Sequence, residues 1–263
     1  MKKKCVWIVV LAFCLGIGLA GNVSAAKEVK IALFVILSGS GADLGEQSRA
    51  GAVMAMEDIN NSGGIKALGG AKLKLVIADV TTTYSKGPNV TERILSTNKV
   101  AGAIGYGYSG MTLTCLTTIE KAGIPLVTSS ISDKITAQGY KYVFEICPKG
   151  SHFGRTQVKF AAFLRDKYNL KIEKVGFIYE NTAYGTSTSL GLKETCIEEG
   201  FNNIGLFQAY DKDITDAGPL VTKIKASGVD VIFPCSYTPD AHEGDENEHL
   251  GDRRWGRILL AAH

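Results

Sequence analysis

The chain has 263 residues, 45% of them hydrophobic and 21% charged, with a formal net charge of +3. This is the balance of an ordinary globular protein, long enough for two modest lobes. Part of the positive charge lies in Lys2, Lys3 and Lys4, so the rest is close to neutral and calls for neither nucleic acid nor an anionic membrane surface.

The N-terminus sets the compartment. After the basic residues 2–4, an almost unbroken apolar run covers residues 5–20, and Gly21-Asn22 interrupt it before the small residues of Val23-Ser24-Ala25. This is the layout of a secretory signal peptide over residues 1–25, and the run is short for a span of roughly 20 apolar residues. Phe13 before Cys14 is too bulky for a lipidation box. Cys5 and Cys14 leave with the signal. Cys115, Cys147, Cys196 and Cys235 remain in an oxidising compartment that permits a disulfide. They lack metal-type spacing and read first as small core residues, with one bridge left open.

The mature sequence then alternates strands with helices. Residues 29–37 are a continuous apolar strand of the kind buried on both faces of a parallel sheet. Residues 44–61 carry Ala50, Val53, Met54, Met56 and Ile59 at helical spacing, and Asn60-Asn61-Ser62-Gly63-Gly64 stop the helix. A strand at 72–79, a helix at 87–97, a strand at 100–104, a helix at 111–122 and a strand at 124–128 complete a first α/β lobe, 26–147. A second series follows: a helix at 153–168, a strand at 174–179, a helix at 184–199, a strand at 204–209, a helix at 217–226 and a strand at 229–235. Repeated βαβ units imply Rossmann-like parallel sheets with helices on both faces, here as two lobes with a cleft between them. The second lobe covers 148–241 and is partial. Residues 242–263 are an aberrant polar tail with no place in either sheet.

Gly39-Ser40-Gly41-Ala42-Asp43-Leu44-Gly45, with the helix ending Glu57-Asp58-Ile59-Asn60-Asn61-Ser62-Gly63-Gly64-Ile65, resembles the opening of the leucine/isoleucine/valine-binding proteins. Gly123-Ile124-Pro125-Leu126-Val127, Asn181-Thr182-Ala183-Tyr184-Gly185 and Gly228-Val229-Asp230-Val231-Ile232 follow in the same order. The resemblance implies a type I periplasmic binding fold whose lobes close over a small amino-acid-like ligand and deliver it to the membrane permease of an ABC importer. It implies a monomer in the periplasm that binds without chemistry and needs no cofactor. It also implies that the C-terminal part of the fold is incomplete.

The same resemblance points to site residues. Ser109 lies between a strand and a helix, where its hydroxyl and nearby backbone N–H groups can hold a carboxylate. Ser129 and Ser130 fall in the loop that grips the ligand's polar ends. Ile131 stands on a position the family gives to threonine, and Ser132 is a substitute for it. Tyr184 and Tyr237 match tyrosines of the second lobe that close over the ligand, each offering an apolar face and a hydroxyl. Leu44 replaces an aromatic pocket wall. The family's first-lobe disulfide has no counterpart, and its carboxylate for the ligand ammonium falls beyond Ala241. Tyr106 and Tyr108 face either the cleft or solvent, Asp79 reads as structural, and His152 as a cap neighbour.

Three rivals belong beside this reading. Gly39-Ser40-Gly41 with Gly45 imitates a dinucleotide fingerprint, but the spacing differs and Asp79 lies well beyond the usual ~20 residues downstream. A sensory ligand-binding module would share the fold. A degenerate fragment would bind nothing.

Overall fold

In a computed structural model, residues 27–212 and 214–237 are described. The segment read as a signal peptide and the polar tail both lie outside them. The chain lays down two parallel sheets in series. The first contains β1 (Glu28–Val35), β2 (Lys72–Asp79), β3 (Val100–Gly105), β4 (Leu126–Thr128) and β5 (Val143–Glu145), in the order β2-β1-β3-β4-β5. Its helices are α1 (Ala42–Asn61), α2 (Gly87–Thr97) and α3 (Ser109–Ala122), with short 3-10 turns at Lys66–Leu68 and Tyr84–Lys86. After α4 (Gly150–Tyr168) come β6 (Val175–Glu180), α5 (Ala183–Glu198), β7 (Ile204–Tyr210), α6 (Gly218–Ser227) and β8 (Val231–Cys235), with the sheet order β7-β6-β8.

The expected strands and helices are present, and the two-lobe α/β architecture is as the periodicity implies. One strand is new. β5 is three residues long, too short for a period to show, and is held by parallel pairing to β4.

Alternation along the strands separates the two faces of the first sheet. Val76, Ala32, Ala103, Leu126 and Val143 form one cross-strand row, and this row belongs to the core beneath α2 and α3 with Ile94, Met111, Cys115, Leu116 and Ile119. The next row is Ile77, Leu33, Ile104, Val127 and Phe144. Leu33 is buried, whereas Ile77, Ile104 and Phe144 are 40%, 40% and 52% exposed.

Asn60, near the end of α1, explains one motif residue. Its amide accepts from the Leu73 N–H at 2.8 Å and donates to the Leu73 carbonyl at 2.9 Å, so the helix end is stitched to β2. In the second lobe Phe177 stacks on Phe233 at 5.5 Å, among Val158, Ala161, Leu192 and Cys196. Here α4 and α5 meet backbone to backbone. A Cβ at Gly154 would lie 2.2 Å from the Thr188 carbonyl oxygen, and one at Gly191 would lie 2.0 Å from that of Ser151. Cys115, Cys147, Cys196 and Cys235 are all free thiols. Burial pushes the Cys196 thiol up to about 12, far from the thiolate that chemistry would need.

Candidate ligand-binding cleft

Both sheets have a topological switch point. β1 pairs with β2 on one side and β3 on the other, and β6 lies between β7 and β8. Ligands of open α/β sheets bind at the carboxyl ends of strands near such points. The chain segments leaving β3, β6 and β8 carry Ser109, Tyr184 and Tyr237.

β3 ends at Gly105, packed so closely on β1 that a Cβ there would lie 2.5 Å from the Phe34 carbonyl oxygen. Tyr106 then turns into the core, stacked on Phe34 at 5.0 Å, and its hydroxyl lies 2.8 Å from that of Thr91. Tyr108 turns the other way, its ring meeting Tyr237 at 4.1 Å. Both tyrosines are buried in the first-lobe core, and Tyr108 also reaches the second lobe through Tyr237. Gly41 in the loop before α1 makes room for Tyr108, because a Cβ there would lie 2.8 Å from the phenol oxygen.

Ser109 is 1% exposed and is the first residue of α3, a helix whose preceding residue, Tyr108, offers no side-chain cap. Its N–H donates to the Tyr237 phenol oxygen at 3.3 Å, and its hydroxyl oxygen accepts from the Ser132 N–H at 3.2 Å. The hydroxyl thus holds the neighbouring loop and, with the main-chain N–H, also meets the Tyr237 phenol. Ser130 is also buried, its hydroxyl 2.7 Å from that of Thr112 and its N–H on the Thr128 hydroxyl. Ser129 is exposed, and its carbonyl accepts the Cys147 thiol at 3.1 Å. Leu44, in the first turn of α1 and 39% exposed, shares an apolar hollow with Ser129, Leu33, Val35, Ile104 and Val127.

From the second lobe, Tyr184 lies in the first turn of α5, which Thr182 caps by accepting from the Gly185 N–H. Its ring centroid is 4.8 Å from that of Tyr237. Tyr108, Tyr237 and Tyr184 therefore make a continuous aromatic file from one lobe to the other. Burial is the main cause that drives both Tyr184 and Tyr237 phenols well above their ordinary values, so each is a neutral hydroxyl.

Ser132 and Glu180 complete the junction. The Ser132 hydroxyl meets that of Ser187 in α5. Glu180 ends β6 with no exposure, and one carboxylate oxygen accepts the Tyr237 N–H at 3.0 Å. The sequence reading missed Glu180, because an acid at a strand end looks like any solvated terminus. The one available signal was its place just before the Asn181-to-Gly185 motif. The Asp79 carboxylate accepts the N–H groups of Leu37 and Thr81, tying the ends of β1 and β2 together. His152 is exposed on the first turn of α4.

The assembly can present backbone donors and neutral aromatic hydroxyls to a small molecule. A family model described as periplasmic binding protein matches residues 28–243. The Leu/Ile/Val-binding protein homolog 7 of Brucella melitensis is 33% identical over 230 residues, covering 85% of this chain and 56% of the relative. A leucine-, isoleucine-, valine-, threonine- and alanine-binding protein of Pseudomonas aeruginosa is 28% identical over 224 residues, covering 85% and 57%. The crystal structure of the branched-chain amino acid transporter substrate-binding protein LivJ from Streptococcus pneumoniae, in complex with isoleucine, superposes with a TM-score of 0.70 at 26% identity. That match covers 82% of this chain and 59% of LivJ. The chain thus spans little more than half the length of the relatives it matches. With a family match across most of its residues and a shared two-lobe fold, the chain belongs to the periplasmic binding proteins, a family of solute-binding proteins.

Proposed function

We propose that this protein binds a small aliphatic amino acid, of the branched-chain kind, in the cleft between its lobes and delivers it to the permease of an ABC importer. The observation that carries this reading is the meeting of Tyr237 with the Ser109 N–H at the start of α3. A helix N-terminus favours an anionic group, and here it faces a neutral aromatic wall from the opposite lobe. The ligand's carboxylate takes the Ser109 N–H, with the Ser129–Ser130 loop beside it. Tyr184 and Tyr237 cover an aliphatic side chain, and Leu44 extends the apolar lining. The names of the Brucella, Pseudomonas and Streptococcus relatives support the same ligand class.

The proposal includes export, with a signal peptide over residues 1–25, and action as a periplasmic monomer without a cofactor. The lobes divide at 147 and 148. Calorimetry on the protein with leucine, isoleucine and valine tests the reading. Saturable heats with these acids and none with uncharged sugars are expected. Binding of sugars alone, or of none of these molecules at millimolar concentration, overturns it.

A further inference from the structure

We infer that Tyr237 is a tethered competitor for the ligand, its hydroxyl occupying the Ser109 N–H that an incoming carboxylate must take. The inference rests on the binding reading above. It makes Tyr237 a residue that sets how tightly a ligand is held, in addition to one that covers it.

Three contacts hold the competitor in place. Its ring lies between Tyr108 at 4.1 Å and Tyr184 at 4.8 Å. Its own N–H is fixed by the Glu180 carboxylate at 3.0 Å. Its hydroxyl accepts from Ser109, one of the first N–H groups of α3, which have no partner inside the helix. The cleft is therefore closed on itself through a residue of the second lobe.

The last contact is the weakest. At 3.3 Å it is longer than the 2.9–3.0 Å typical of an N–H···O bond, and its acceptor is a neutral phenol. A carboxylate at the same N–H makes a shorter, charge-assisted bond of roughly twice the strength. The helix dipole adds to the difference. A charged ligand can thus displace the phenol, while a neutral carbonyl of the same shape gains little by the exchange. Tyr237 in this way lowers the affinity of every ligand that takes this N–H, and because the phenol oxygen is fixed to the ring, the ring has to shift between Tyr108 and Tyr184 for the ligand to enter.

Tyr237→Phe keeps the ring and removes the oxygen. Calorimetry would compare leucine and leucinamide on the full chain and on this variant. Leucine is expected to bind about 2- to 10-fold tighter to Tyr237→Phe, the span set by one neutral hydrogen bond, and leucinamide is expected to gain no more than that. Equal or weaker leucine binding in a variant with an unchanged melt overturns the role of Tyr237 and leaves the binding reading intact. A wild-type chain that binds no branched-chain acid overturns both. Should the variant not fold, ring-proton spectra of the wild type decide. Tyr237 and Ser109 signals that shift together on saturation with leucine support the exchange, and an unmoved Tyr237 signal with ligand bound overturns it.

Discussion

The hydroxyls of Ser132 and Ser187 lie 3.0 Å apart, both buried, where the segment leaving the first sheet passes α5. The Asp133 N–H donates to the same Ser187 oxygen at 3.2 Å. The Asp133 carboxylate in turn takes the Ser151 hydroxyl and N–H at 2.6 and 3.1 Å, at the start of α4. Two adjacent residues, Ser132 and Asp133, are thus clamped to α4 and α5 of the second lobe. Ser187→Ala leaves the Asp133 N–H and the Ser132 hydroxyl without this partner, and a loss of about 1–3 kcal/mol follows. Urea denaturation measures it; a change below about 0.5 kcal/mol would show that water replaces the hydroxyl without penalty.

A second prediction concerns the crossing of α4 and α5. In an open helix, Gly→Ala gains roughly 1 kcal/mol from propensity. At Gly154 and Gly191 the added carbon would lie 2.2 and 2.0 Å from backbone oxygens of the facing helix. Backbone cannot rotate away as a side-chain tip can. Overpacking costs typically 1–3 kcal/mol, occasionally more, and outweighs the gain. Each variant should lower the melting midpoint, whereas Gly51→Ala on α1, with no atom within 4 Å of the added carbon, should raise it. If all three variants raised it, the two helices would be further apart than described.

These relationships show what was legible in sequence. The continuous apolar run of β1, the alternation of strand and helix segments along the chain and the Gly-rich stop after α1 revealed the sheets, because apolar runs and turn chemistry are local. Asn60 was legible as a motif residue, although its two bonds to Leu73 were not. The stretch from Ser129 to Tyr142 carries little period. Its shape comes from partners far along the chain, such as Ser109, Thr112, Ser151 and Ser187. For the same reason Ser130 and Ser109 looked alike. Only their partners separate a hydroxyl turned toward Thr112 from an N–H facing the second lobe.

Asp79 yields a prediction in pH. Burial raises its pKa, but the N–H groups of Leu37 and Thr81 and the Ser38 hydroxyl outweigh burial and hold it below the ordinary value of 3.8. The unfolded chain therefore takes up this proton first as pH falls. The stabilisation is complete above the unfolded value and is lost as pH drops through the folded one. Asp79→Asn keeps an acceptor and removes the titration. Its stability deficit, about 1 kcal/mol at neutral pH, should shrink steadily below about pH 4. A deficit independent of pH would mean that shape, and not charge, makes Asp79 useful.

The last prediction separates the two polar groups of Ser109. Its hydroxyl accepts from Ser132, and its N–H faces Tyr237. Ser109→Ala removes the first and keeps the second. Ser109→Pro removes both, at the first position of a helix, where proline is well tolerated. Tyr108 before it already has φ −90° and ψ 125°, the extended conformation that a following proline requires. The pyrrolidine ring takes space beside the N–H, so the Tyr237 phenol has to withdraw. Melting midpoints are compared first, to establish that both variants retain the fold. If the ligand's carboxylate binds the main-chain donor, Ser109→Pro should bind leucine roughly 10- to 150-fold more weakly than Ser109→Ala. That span follows from about 1.5–3 kcal/mol for a hydrogen bond to a charged group. Equal affinities in two folded variants would move the carboxylate away from the start of α3, and the exposed Ser129 loop would be the next place to look.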